Sequence, residues 1–163
     1  MKRPLCAILT AAMLFGAVAC GGTPGENQPP KETTPLQPYS VYVPNDNADG
    51  FDIKTVSTEE ISAETVLAGL KEQNVLPDAV SINAFGIDGG AITMDFNQAF
   101  ADAVCSMGTS GELMMVGSVV NTFLDAFAAE SLYFTVDGHV FESGHETYDS
   151  GMTFISVDPQ PAE

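Results

Sequence analysis

The chain has 163 residues, room for one globular domain beside an N-terminal leader. Hydrophobic residues make up 45% of it, ten of them Phe, enough apolar surface to offset the entropy of ordering and so to exclude a wholly disordered chain. A formal net charge of -17, from 22 acidic and five basic residues, excludes the basic stripe that nucleic acid or anionic headgroups require.

Met1-Lys2-Arg3, an apolar run from Leu5 to Ala17, and Ala17-Val18-Ala19 before Cys20 give a charged start, a short hydrophobic stretch and a small-residue cleavage point. Residues 1–19 therefore read as an export signal peptide. The run is shorter than the roughly 18 residues of a membrane-crossing helix. Small residues directly before a cysteine resemble the lipobox of bacterial lipoproteins, and that resemblance implies Cys20 as the lipid-attachment site. The mature protein is then extracytoplasmic and reaches the cell membrane through the lipid anchor only. Ala17-x-Ala19 also satisfies the ordinary secretory rule, which releases the protein, although that rule gives no reason for a cysteine after the cut. Loss of the signal leaves three basic against 22 acidic residues, a charge of -19. From Gly21 to Pro38 five prolines alternate with Gly, Thr, Gln and Glu. Residues 20–38 read as a tether, reaching roughly 25 Å as a coil and about 55 Å as polyproline II.

The domain is expected over residues 39–157, with a disordered tail at 158–163. Ser40 to Val43 reads as a strand, Pro44 to Gly50 as a polar turn, and Phe51 to Val56 as a second extended piece. Ser57 with Glu60, or Ser62, can cap a helix carrying Val66, Leu67 and Leu70 on one face and ending near Asn74 and Pro77. Val80 to Ile87 and Ala91 to Phe96 form a hairpin through Asp88-Gly89-Gly90, residue types that accept positive φ. Asn97 to Cys105 is a short helix with Phe100 and Ala103, broken at Met107-Gly108. Thr109 and Glu112 then make a capping-box pair ahead of a long helix with Leu113, Val116, Val120, Leu124 and Phe127 at helical spacing. Leu132 to Val136 alternates as a strand before the turn pair Asp137-Gly138. The order predicts an α/β (α+β) fold: one small sheet with helices packed on it, βαββαβ-like, demanding no long parallel sheet.

Several segments in order, from about Tyr39 to Ile155, resemble the GerMN domain of sporulation, germination and other envelope lipoproteins of Gram-positive bacteria. The carriers are Val41-Tyr42-Val43-Pro44, Gly90-Ala91-Ile92-Thr93-Met94-Asp95-Phe96-Asn97, Val119-Val120-Asn121-Thr122-Phe123, Phe134-Thr135-Val136-Asp137-Gly138 and Gly144-His145. Phe123 stands where leucine is more usual, and one copy is present where some relatives carry a tandem pair. The resemblance implies a small module related to ring-building folds, acting by assembly or binding in sporulation, germination or cell-wall processes. The implied partner is an envelope protein or a cell-wall component.

No catalytic signature accompanies these motifs. Asn45, Asn47, Asp49 and Gly50 imitate the first half of a calcium loop, but Val56 stands where the bidentate Glu belongs, so a polar hairpin loop is expected. His139 and His145 flank Glu142 without a CxxC, an HExxH or a third histidine. They carry the alternative reading, an envelope hydrolase or metal-dependent enzyme. Cys6 lies in the leader and Cys20 at its end, so Cys105 is alone in the domain and is expected to be a buried structural thiol. Gly108-Thr109-Ser110-Gly111 lacks the spacing of a nucleophile elbow, and Met114 and Met115 read as core filling. The expectation is therefore a binding module with no enzyme activity, no cofactor and no metal.

Overall fold

The computed structural model describes residues 35–156. The export signal, Cys20, all but the last four residues of the tether, and the tail lie outside the described residues. Two strands, β1 (Gln37–Pro44) and β2 (Phe51–Thr58), form an antiparallel ribbon, so Gln37 and Pro38 belong to the strand. Between them Asn45 closes the loop on itself: its amide donates to Asp49 Oδ1 at 2.8 Å, its Oδ1 accepts from the Asp49 N–H, and its own N–H bonds to Gly50 O. This is the expected polar hairpin loop, with the Asp49 carboxylate occupied by an amide.

Helix α1 (Ala63–Glu72) starts on Ser62, whose side chain accepts from Thr65 N–H while Thr65 Oγ1 accepts from Ser62 N–H. Of the two caps expected, Ser62 is used, and Ser57 sits inside β2. The helix ends at a left-handed Asn74, with Val75 N–H bonded to Leu70 O and Asn74 N–H to Lys71 O, the paired bonds of a Schellman motif. Strands β3 (Ile82–Asp88) and β4 (Ala91–Phe96) pair antiparallel through a turn in which Gly89 and Gly90 both have positive φ.

Two further helices, α2 (Gln98–Cys105) and α3 (Thr109–Phe127), carry the chain across to β5 (Ser131–Val136), which lies parallel to β4. A parallel neighbour needs such a crossover. The strand order is β3-β4-β5, and a small antiparallel pair, β6 (Phe141–Glu142) and β7 (Thr147–Tyr148), follows. The architecture is mixed α/β as expected, with the strands divided among three small sheets.

Phe96, Phe100, Phe123 and Phe134 are fully buried at the centre of the core. Phe96 stacks on Phe100 at 4.2 Å, and Phe134 meets both edge-on. Helix α3 is buried along most of its length from Met114 to Leu124. Met114 and Met115 fill the interior as their position implied, but Leu113 is 45% exposed. The ribbon is fastened to α3 where Thr122 Oγ1 accepts from Tyr42 N–H at 3.0 Å. Gly117 admits the Phe51 ring so closely that a Cβ there would stand 2.7 Å from it.

Candidate functional site

The polar residues that carried the resemblance turn out to fasten distant parts of the chain. Asp95 Oδ1 accepts from Thr135 Oγ1 at 2.5 Å and from Gly138 N–H at 2.7 Å, and Oδ2 accepts from Asn83 Nδ2 at 2.9 Å. Desolvation raises the pKa of Asp95, but these hydrogen bonds and nearby His139 outweigh it and hold the carboxyl below the usual aspartate range. Asn97 gives and takes bonds with Ala79 O and Ser81 N–H, tying the chain before β3 to the start of α2. Asn121, buried in α3, clasps Ile155 with both ends of its amide, each bond 2.8 Å. Asp137 and Gly138, both with positive φ, close the turn in which Val136 and His139 exchange backbone hydrogen bonds.

His139 and His145 are both exposed, and no group of three His, Cys, Asp or Glu among the described residues is arranged to hold a metal ion. Cys105 is exposed, which corrects the expectation of a buried thiol. It is the last residue of α2, where the helix turns away from the core, and its Sγ faces Ser143 O at 3.7 Å. Thr109 is the first residue of α3 and Gly108 its N-cap, without a side-chain bond, so the expected Thr109–Glu112 capping box does not form.

Glu112 is instead drawn inward, 3% exposed. Its Oε1 accepts from Ser143 Oγ at 2.5 Å and from Tyr148 O–H at 2.7 Å, while Oε2 is buried without a partner. Ser143 is held for this contact by a tight turn: its Oγ accepts from the N–H groups of His145 and Glu146, and Gly144 supplies a φ of 95°. Burial first, then the bond to Glu112 and the nearby charges of Glu112 and Glu146, push the Tyr148 phenol far above its ordinary range, so it stays a donor. Beside this group lies a cavity of about 210 Å³.

The three-stranded sheet presents a different surface. One face of β3-β4-β5 buries Ile92, Met94, Phe96, Leu132, Phe134 and Val136. The other, with Ala84, Gly86, Thr93, Tyr133 and Thr135, borders a shallow hollow of about 340 Å³. Among the described residues β3 has a strand on one side only, so one row of its backbone groups has no strand partner.

Residues 28–142 match the family Germane, described as sporulation and spore germination. The chain belongs to the Germane family. Its fold is similar to the tandem GerMN domains of the sporulation protein GerM from Bacillus subtilis, at 19% identity and a TM-score of 0.53, over 83% of this chain and 51% of that one. The first GerMN domain of the same protein matches at 19% identity and a TM-score of 0.45, over 78% of this chain and 98% of that one. This Germane chain thus spans about half the length of the tandem structure. No curated protein matches it.

The GerMN-type motifs expected from sequence are present as structural fastenings, whereas the one buried carboxylate of the described residues, Glu112, reads from sequence only as half of a capping box. A Glu in the first turn of a helix reads as a cap or a favourable charge at the dipole. The signal that marks it otherwise is Gly144: a glycine where the chain must take positive φ, next to a serine that the turn aims back at α3.

Proposed function

We propose that this Germane chain is an extracytoplasmic module, anchored by lipid at Cys20, that works by binding an envelope protein or cell-wall component in sporulation, germination or cell-wall processes. The observation that carries the reading is the open face of β3-β4-β5. Its hollow is shallow and lined by Ala84, Gly86, Thr93, Asp95, Tyr133 and Thr135 together with Phe85 and Met94, and the edge of β3, without a strand partner among the described residues, offers backbone donors and acceptors to an added strand. The family and the GerMN-like fold support a role in assembly, since the similar solved domains come from a sporulation protein. The leader supports export, and the cysteine after Ala19 supports lipidation.

The competing reading is hydrolysis or metal chemistry through His139 and His145. His139 lies in the turn after β5 and His145 beside the Glu112 cavity, both open to solvent. Replacing both by Ala is the test, with peptidoglycan, ester and peptide substrates. No turnover is expected from parent or variant. Turnover by the parent that vanishes in the double variant overturns the binding reading.

A further inference from the structure

The cavity beside Glu112 combines a charge with no counter-charge and an apolar wall. Its exposed rim is Thr109, Leu113, His145 and Glu146; deeper in stand Glu112, Val116, Tyr148, Met152 and Ile155. At about 210 Å³ it has room for several waters, of about 30 Å³ each, or for one long side chain. A buried carboxylate with an unpaired oxygen is costly, and native proteins retain such groups chiefly where something else satisfies them. Nothing among the described residues does so. Lys54 and Lys71 are their only lysines and no arginine is among them; Lys54 lies 3.9 Å from Asp52, and Lys71 donates to Asp78 O. The rim histidine makes no ion pair with Glu112, since Lys54–Asp52 is the one ion pair of the described residues.

We infer that this cavity receives the terminal ammonium of a lysine-type side chain presented by a peptide, with Glu112 Oε2 as its acceptor. The site is distinct from the open sheet face and does not depend on the reading given to that face. Three features select the ligand. The methylenes of such a chain suit Val116, Met152, Ile155 and the exposed flank of Leu113, leaving the charged tip for the carboxylate. A guanidinium is matched best by both oxygens of a carboxylate, but Oε1 already accepts two hydroxyl bonds, which leaves one oxygen for a compact point charge. Glu146 on the rim and a net charge of -17 draw cations toward the opening. Ser143 and Tyr148 hold the carboxylate in place. Oε2 is shielded from water in this structure, so we infer with it a side-chain displacement that uncovers it as the ammonium enters.

The test uses the full chain with labelled Met and Ile methyl groups and the probe Nα-acetyl-lysine N-methylamide. Saturable shifts at Met152 and Ile155 are expected. The norleucine analogue, which lacks the ammonium, and the Nε-acetylated probe should bind about tenfold more weakly or worse, the scale of one charge-assisted hydrogen bond. Glu112→Gln should weaken the lysine probe to a similar degree, and Glu130→Gln, near Gly90, should not. Equal binding of the norleucine analogue overturns the assignment in favour of a merely apolar groove. Absence of any saturable shift overturns it in favour of a water-filled cavity. Unchanged affinity in a folded Glu112→Gln variant removes the carboxylate as acceptor; should that variant fail to fold, the probe comparison on the parent decides alone.

Discussion

Asp95 makes three hydrogen bonds, and the buried Asn121 two, to chain distant in sequence, which gives single residues an influence over whole segments. Asp95→Ala removes the acceptor of Thr135, Gly138 and Asn83 and is expected to cost about 1–3 kcal/mol, read by urea unfolding at neutral pH. Because the folded carboxyl titrates below its unfolded value, its contribution is present above the ordinary aspartate pKa of about 3.9 and is lost as pH falls through the lower folded value. The parent and Asp95→Ala should therefore converge in stability as the solution is acidified below about pH 4. A gap that widens on acidification contradicts the assigned ionisation. Asn121→Ala frees Ile155 and should also cost about 1–3 kcal/mol, with hydrogen exchange rising first in the segment after β7. These residues were visible in the sequence as parts of a family pattern. Their roles were not, because a pattern records residue types, whereas the partner of Asn121 lies 34 positions away and those of Asp95 lie 12, 40 and 43 positions away.

At the scale of elements, local signals decided most of the outcome. The Gly89-Gly90 turn, the Ser62 cap and the Asn74 end follow from backbone preferences that a short stretch of sequence displays. Helix α3 was legible through its apolar spacing, but its first turn was not: Glu112 looks like half of a capping box until the Ser143 turn folds over it. Cys105 was misjudged for a related reason, since an apolar neighbourhood in sequence does not tell which side of the last helical turn faces solvent. The far end of α3 yields a prediction. Ala128 adopts φ 48° and ψ 44°, and Ala129 N–H bonds to Leu124 O, so a Schellman motif closes on a residue with a Cβ. Ala128→Gly relieves that strain and should stabilise the protein by up to about 1 kcal/mol, seen as a higher urea midpoint with unchanged slope. Gly117→Ala should do the reverse: its Cβ would meet the Phe51 ring at 2.7 Å, and overpacking of this kind costs about 1–3 kcal/mol. A neutral Gly117→Ala result would mean that the ribbon does not seat on α3 as described.

For the whole molecule, composition and order of elements announced an acidic α/β module, and the described residues bear that out. The parallel β4–β5 pair was not foreseen, because pairing between strands separated by two helices depends on packing that periodicity does not encode. The described residues share one buried apolar core, and the fold is expected to be held by it without disulfide or metal. Reductant and chelator are expected to leave the melting temperature of the full chain unchanged, and a large drop with chelator would restore the Asn45–Gly50 loop as a calcium site. Cys20→Ser is expected to move the protein from the membrane fraction to the medium, and detergent partitioning equal to the parent's counts against the anchor. The central claim is that the anchored chain acts through the open sheet face. A photo-crosslinker at Thr93 in the full chain tests it most directly, together with Gly86→Arg, a site where an added Cβ meets only an ordinary 3.5 Å contact with Thr93. The account predicts a discrete adduct in cells that disappears when Arg covers the face; no adduct, or the same adduct in a folded Gly86→Arg variant, contradicts it.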